Sequence, residues 1–310
     1  MRVLVTGASG FAGRHVIAAF ASAGHDVVPL GGPADDGGLD VTDAGAVAAA
    51  VAAGRPDAVV HLAGQAFVPP SIADPLPTLA TNAAGTAHVL EAVRAVSRRT
   101  APIRTLLVGS AEVYGIQPPE RMPLDESTPL RPENPYAASK AAAEMYAGAW
   151  SRVYGLDIVV ARPFNHIGPG QDARFVVPSF ARQLAEIAAG GPRVMSVGNL
   201  AAERDFLDVR DVAHAYVALL ANGRSGNVYN VCSGRSVAIQ EVLRSLITIA
   251  RVPVEVREDP ARMRPSDLPV LFGDASKLRA ETGWEPQFTL AASLRDIYAD
   301  ACERLAAVRA

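Results

Sequence analysis

The chain's 310 residues include only two cysteines, Cys232 and Cys302, too few for a disulfide framework and in no CxxC spacing. A reducing cytoplasm is the expected compartment. Net charge is also scarce, since 29 lysines and arginines against 32 acids leave a formal −3. That argues against nucleic acid or an acidic membrane surface as the main partner. Long apolar runs are missing although 49% of residues are hydrophobic. Gly, Pro or charge breaks each run before it could cross a bilayer, so no membrane partner is expected. The six histidines show no HxxxH pair and no clustering with cysteine, so no metal site is suggested. Met1-Arg2 leads straight into an apolar run, and no signal peptide is expected. There is no fixed-period repeat, and the alanine-rich stretches carry recurring charges that mark them as helix. The length suffices for two packed units, or one unit with a cap.

What is present begins with residues 2–6, an apolar, β-branched run of buried-strand type. Gly7-Ala8-Ser9-Gly10-Phe11-Ala12-Gly13 follows, and then a helical pattern over 14–23. Glycines at this spacing let the backbone approach a pyrophosphate while the helix start offers free N–H groups, so the stretch predicts dinucleotide binding. Residues 25–30 read as the second strand. It ends on Gly31-Gly32-Pro33, with neither the acid of an NAD site nor the arginine of an NADP site; Asp35 and Asp36 come slightly later and either lean towards NAD, by repelling a 2′-phosphate, or are solvated loop residues. A helix starts near residue 43, capped by Thr42 or Asp43.

Residues 58–64 form a third strand whose His61 reads as a packed, hydrogen-bonded side chain. A long helix is predicted over 75–98, with Asn82 either an ordinary helix residue, which helical spacing alone favours, or a polar prop for the site. The fourth strand, 103–108, runs into Gly109-Ser110-Ala111-Glu112, and strand ends are where ligands bind in such sheets. Residues 117–135 are loop and deliver Tyr136 and Lys140 on the next helix, before a fifth strand at 156–161. Strand and helix alternating without a hairpin signal predict an α/β fold, a doubly wound parallel sheet of Rossmann type. A smaller α/β unit follows. The expected division is a dinucleotide-binding domain over 1–163, joined again by 206–232, and a substrate-binding domain over 164–205 and 233–310. A helix at 205–220 and a strand at 226–231 are the elements expected to return to the sheet.

Tyr136 and Lys140 lie four apart, so both side chains share one helix face. An ammonium beside a phenol favours phenolate, which predicts a lowered Tyr136 pKa and a group usable as acid or base. Several arginines in the second half suit phosphate.

Gly7, Gly10 and Gly13 together with Ser110, Tyr136 and Lys140 resemble the extended short-chain dehydrogenase/reductase family, over essentially the whole chain. Residues 61–65, 162–171, 197–200, 204–206 and 228–234 sharpen the resemblance towards members that act on GDP-linked deoxyhexoses. It implies that NAD(P)H reduces the 4-keto group of GDP-4-dehydro-6-deoxy-D-mannose to give GDP-D-rhamnose. GDP-mannose 4,6-dehydratases and nucleotide-sugar 4-epimerases, which regenerate a bound cofactor, are the alternatives.

The resemblance also implies roles. Tyr136 donates the proton, Lys140 holds the nicotinamide ribose, and Ser110 hydrogen-bonds the sugar C4 oxygen. Cofactor contacts fall to Gly7, Gly10, Phe11, Ala12 and Gly13, and to Asp40, Val41, Leu62, Ala63, Gly64 and Asn82. Pro163, His166 and Ile167 face the nicotinamide. Asn165, Arg204 and Arg264 fall to the substrate diphosphate and ribose, and Asn199 and Arg182 to its nucleotide. Glu112 stands where related dehydratases keep a base, and Ala111 where relatives often carry a second serine. A homodimer through helices 78–98 and 136–154 is implied as well.

Overall fold

The computed structural model describes residues 1–35, 38–97, 102–262 and 268–309. Its centre is a six-stranded sheet. The strands β1 (Arg2–Thr6), β2 (Asp26–Leu30), β3 (Ala58–His61), β4 (Arg104–Val108) and β5 (Ile158–Pro163) are joined by an edge strand, Val228–Val231. All neighbours pair in parallel, in the order Val228–Val231, β5, β4, β3, β1, β2. The chain leaves β1 for β2 on one side and returns to β3 on the other. The carboxyl ends of β1 and β3, where Thr6 stands in register with His61, therefore flank the crevice of a doubly wound sheet.

Strand alternation fills both faces. Val3, Val5 and Val60 join Val16 and Phe20 of α1 (Phe11–Ser22) and Val212, Tyr216 and Leu219 of the helix Val209–Asn222. Leu4 and Val59 point the other way, onto Val47 and Val51 of α2 (Ala44–Gly54) and Val89 and Val93 of the helix Gly85–Val96. Asp43 caps α2, its Oδ1 accepting from Ala46 N at 2.9 Å, so of the two candidates it is the aspartate that serves.

A second core belongs to the other half of the chain. Phe180 and Leu184 of the helix Val176–Ala188 pack with Val242 and Leu246 of Ile239–Ala250, and with Leu294 and Ile297 of Leu290–Arg309. Short strands complete it, Val194–Val197 pairing in parallel with Glu255–Glu258.

Two elements differ from the sequence expectation. The helix expected over 75–98 is interrupted: Pro75–Leu79 leads into a π turn, Ala80–Ala84, before Gly85–Val96, and residue 98 lies outside the described residues. One extra residue per turn rotates Asn82 into the protein, where it is 1% exposed. The helix expected from 205 starts at Val209, because Phe206–Asp208 first forms a strand beside Asn165–Ile167 and Asp208 then caps, accepting from Arg210 N at 2.9 Å.

A buried ion pair ties the helix Pro135–Tyr154 to β5. Arg162 and Glu144 meet at 2.8 Å with side chains 7% and 4% exposed. Arg162 also donates to the Tyr114 hydroxyl at 3.0 Å, which donates to Asn230 Oδ1 of the edge strand at 2.7 Å. Removing one member of such a pair strands the other charge in a dry interior. Arg162→Met should cost about 3–5 kcal/mol of stability, and Glu144→Met/Arg162→Met together should recover most of it. Urea unfolding of the three proteins checks this; equal losses in single and double variants would refute the coupling.

Candidate active site

The glycine loop comes first. α1 starts at Phe11 with Gly10 as N-cap and no side-chain cap, leaving its first-turn N–H groups to face the crevice. A Cβ at Gly13 would fall 2.3 Å from Gly7 O and 2.6 Å from Ala8 O, so only glycine lets the helix seat this closely on the loop. The resulting cradle is what a dinucleotide's pyrophosphate requires. The residues present fit an NAD(P) cofactor, and the glycine packing is the observation that says so.

Tyr136 and Lys140 stand near the start of the helix Pro135–Tyr154, whose N-cap Asn134 accepts from Ala137 N at 2.9 Å. Pro135, with its fixed φ, suits the first position. Ser110, where β4 gives way to the turn Ala111–Tyr114, caps that turn and hydrogen-bonds the Tyr136 hydroxyl. Its Oγ accepts from Glu112 N at 3.2 Å. Glu112 lies close enough to raise the Tyr136 pKa through its charge, and Asn134 Nδ2 approaches its Oε2 at 3.5 Å.

The lowered phenol expected beside Lys140 is not what the structure gives. Burial pushes Tyr136 up to about 12, with the Ser110 hydrogen bond opposing and the Glu112 charge adding to the rise. The Lys140 ammonium donates instead to Val108 O, at 2.9 Å. Burial lowers Lys140 itself to about 8, against the opposing charge of Glu144.

His61 is packed, as its place inside a strand implied. Its Nδ1 meets Thr6 Oγ1 at 2.7 Å and its Nε2 meets Thr86 Oγ1 at 3.2 Å; Thr86 Oγ1 in turn donates to Asn82 O at 2.6 Å. The chain of bonds assigns a neutral ring, and burial, aided by the Lys140 charge, lowers its pKa to about 3. Asn82 uses its whole amide below the cavity, accepting from Gln65 N at 2.8 Å and donating to Gln65 O and Ser139 Oγ at 3.0 and 2.9 Å. It is a prop for the Gly64–Gln65 loop and for the Tyr136 helix rather than an ordinary helix residue, and it does not line the cavity.

One cavity of about 1170 Å³ joins these parts. Its dinucleotide end is lined by Gly7, Gly10, Phe11, Ala12 and Gly13, with Asp40, Val41, Leu62, Ala63 and Gly64 beyond. Ser110, Glu112, Tyr136 and Lys140 form its middle, where Pro163, Asn165, His166 and Ile167 face them. The His166 ring stacks on Phe11 at 5.9 Å, and burial lowers its pKa, which keeps it neutral. Asn199 and Arg204 line the far end, Arg204 only 8% exposed.

Arg182 is a correction: it is absent from the cavity wall and pairs with Glu186 at 3.5 Å on an exposed helix face. Arg264 lies outside the described residues. The far wall gains two arginines the sequence reading passed over, Arg174 and Arg262. Arg174 lies 5.2 Å over the Phe67 ring, whose edge meets Phe175 at 5.4 Å, so these three link both halves of the chain across the opening. Arg174 lies three residues beyond the 162–171 stretch, which was the available signal; nothing marked Arg262. Among the described residues no three His, Cys, Asp or Glu gather as a metal site would need.

The sequence matches the family description GDP-mannose 4,6 dehydratase over residues 38–297. It is 42% identical over 300 residues to a GDP-6-deoxy-D-mannose reductase of Pseudomonas aeruginosa, covering 96% of each chain. A GDP-6-deoxy-D-talose 4-dehydrogenase of Aggregatibacter actinomycetemcomitans is 29% identical, over 96% of this chain and 97% of that one. Among solved structures, RMD from Pseudomonas aeruginosa complexed with NADPH superposes with a TM-score of 0.88 at 40% identity, over 98% of this chain and 99% of that one. A Thermus thermophilus UDP-glucose 4-epimerase complexed with NAD gives 0.86 at 32%, over 97% and 99%.

The buried ammonium has a thermodynamic signature. Between pH 8 and 10.5 the unfolded chain keeps a proton that folded Lys140 has released, so this group makes stability rise with pH there. Below pH 8 the fold carries the full cost of burying the charge. Lys140→Met should therefore be more stable at pH 7, by about 1–3 kcal/mol, and should lose that part of the alkaline rise. Urea unfolding at pH 7 and 9.5 measures both; a variant less stable at pH 7 contradicts the assignment.

Proposed function

We propose that this chain, which belongs to the GDP-mannose 4,6-dehydratase family of extended short-chain dehydrogenase/reductases, reduces the 4-keto group of GDP-4-dehydro-6-deoxy-D-mannose with NAD(P)H to give GDP-D-rhamnose. The observation that carries this reading is a protonated, Ser110-bound phenol in the middle of a cavity with a dinucleotide cradle at one end and arginines at the other. The 42% identity to a GDP-6-deoxy-D-mannose reductase supports the choice of sugar.

When bound, the nicotinamide supplies the hydride. The glycine loop and the first turn of α1 hold the pyrophosphate, and Lys140 holds the nicotinamide ribose. Ser110 and Tyr136 receive the C4 oxygen between them, and Tyr136 gives that oxygen its proton as negative charge develops there. A phenol held well above neutrality keeps its proton until that moment, which suits a reduction. His166, neutral by burial, puts no competing charge beside the ring. Arg204 and Asn199, with Asn165, bind the nucleotide diphosphate of the sugar, and Arg174 and Arg262 join them.

The Glu112 carboxylate beside the phenol favours one second reading, a 4,6-dehydratase with Glu112 as base. Domain boundaries follow the two cores, with the segment 206–232 counted with the sheet. Two unpaired cysteines support a cytoplasmic setting. A homodimer is supported by apolar side chains left outside on the helices facing away from the sheet: Leu76 and Met145 are each 70% exposed and Val153 71%.

NADH or NADPH absorbance should fall when the chain meets GDP-4-dehydro-6-deoxy-D-mannose, with a matching yield of GDP-D-rhamnose. Tyr136→Phe should lower kcat by about 100- to 10,000-fold with coenzyme affinity nearly unchanged; wild-type turnover in that variant rejects Tyr136 as donor. Glu112→Gln should leave the reduction largely intact. Production of a 4-keto sugar from GDP-mannose, abolished in Glu112→Gln, would favour the dehydratase. Met145→Glu should shift the sedimentation coefficient from dimer to monomer, and a persisting dimer moves the interface elsewhere.

A further inference from the structure

Two phenols line the cavity, Tyr136 and Tyr216, and they reach it from opposite faces of the sheet. Leu107, Ile158 and Val160 turn to the face that the helix Pro135–Tyr154 covers through Ala147. Leu106, Val159 and Ala161, their neighbours in β4 and β5, turn the other way, into the core that holds Tyr216 of the helix Val209–Asn222. Ala111 and Phe164, just past the ends of β4 and β5, belong to that core and line the cavity as well. Tyr216 is therefore part of the cavity floor below its middle, across from the Tyr136 helix. Ser110 bonds the Tyr136 hydroxyl, but among the described residues the Tyr216 hydroxyl has no hydrogen-bond partner, although the side chain is only 1% exposed. Nor is it one of the sealed, unpartnered polar atoms of the core, so it opens onto the cavity. Burial, with the Tyr136 charge adding, drives its pKa far above the ordinary phenol value, which keeps the hydroxyl a donor. A buried phenol ordinarily has a partner, because leaving one unpaired is costly. A phenylalanine would fill the same apolar core, so packing does not account for the hydroxyl.

We propose that Tyr216 orients the coenzyme, its hydroxyl donating from the cavity floor to the carboxamide oxygen of the bound nicotinamide. The inference deepens the reductase reading and rests on its dinucleotide site. Hydride can reach the sugar only if the nicotinamide C4 lies against the carbon whose oxygen Ser110 and Tyr136 receive, at the middle of the cavity. The carboxamide is carried on the adjoining ring carbon, so it falls in the same part of the cavity, within the region that Tyr216 floors. A ring free to turn about its glycosidic bond presents either face; one bond to the carboxamide holds it to a single face.

The test needs no sugar. The full chain is titrated with NADH and with NADPH, following nicotinamide fluorescence, and by calorimetry with ADP-ribose, which keeps the pyrophosphate and both riboses but lacks the ring. Tyr216→Phe should weaken the coenzymes by about 3- to 10-fold, the worth of one neutral hydrogen bond, and leave ADP-ribose unchanged. Its thermal midpoint confirms that the variant folds. The thionicotinamide analogue of NADH, whose sulfur accepts poorly, probes the same bond in the wild type. Wild type should bind it more weakly than NADH by a similar factor, and Tyr216→Phe should bind it no worse than wild type does. Unchanged coenzyme affinity in Tyr216→Phe overturns the proposal. So does an equal loss for ADP-ribose, which marks the hydroxyl as structural, and so does a loss that persists undiminished with the thio analogue. If neither coenzyme binds the wild type, the dinucleotide site fails, and the proposed function and the role of Tyr216 fall together. The expected binding pattern with no turnover of the keto sugar removes the substrate assignment and leaves the role of Tyr216 standing.

Discussion

The buried pair of Glu144 and Arg162 is the contact on which the active region hangs. Tyr136, Lys140 and Glu144 follow one another at intervals of four, a single stripe along one helix face. Glu144 clamps that stripe to β5 through Arg162, the residue immediately before Pro163 in the cavity wall. Arg162 reaches on to Tyr114, in the turn that Ser110 caps, and Tyr114 to Asn230 on the edge strand. Tyr136, Ser110 and the cavity wall at Pro163 are thus fixed by one hydrogen-bonded cluster. Burying two charges is costly, and an apolar pair of similar volume would hold the fold as well. What the ion pair adds is direction: its bonds accept one rotation of the helix, and the alignment of reacting groups within about 0.5 Å demands that.

The same dryness sets the electrostatics. Burial disfavours charge on both partners, so the phenol is driven up and the ammonium down, which is opposite to the expectation for Tyr136 from sequence spacing alone. An i,i+4 spacing tells which face two side chains share. It does not tell where an ammonium turns, and Lys140 turns to the Val108 carbonyl. Glu144 is one turn further on and offsets part of the burial cost for Lys140, so the clamp and the charge state of the site are the same piece of structure.

Much of this was legible before any coordinates. β1, β3 and β5 are β-branched runs buried on both faces, a pattern few other elements share, and the glycine loop sits where strand meets helix. Ser110, Tyr136 and Lys140 fall together in one cavity, with Asn165, Asn199 and Arg204 further along it. Other features were closed to sequence reasoning. A π turn adds one residue without a composition signal, so helical spacing could not decide between an ordinary helix position and a polar prop for Asn82. Arg182 and Arg262 look alike in sequence; only the first lies on a helix whose apolar face takes it away from the cavity. The strand Phe206–Asp208 was absorbed into the helix that follows because three residues are too few to show a period.

The far wall raises a different problem, since two molecules that react in one cavity must be held to a fraction of an ångström. Three buried carboxylates within seven residues answer it. Asp205 accepts from Ser233 N and Oγ and from Gly234 N, at 2.7, 2.7 and 2.9 Å, tying the chain just beyond the edge strand. Asp208 accepts from Ser293 Oγ at 2.6 Å, and Asp211 from Gln287 N and Phe288 N at 2.8 and 3.0 Å. Arg204, in the cavity wall, directly precedes this run, and the helix Val209–Asn222 that carries its end packs on the sheet itself. The arginine end of the cavity is therefore referenced to the same sheet that sets the glycine loop. A second unit attached only through its apolar core could slide by a rotamer's width; acids bonded to backbone N–H groups have fixed partners and hold it in one register.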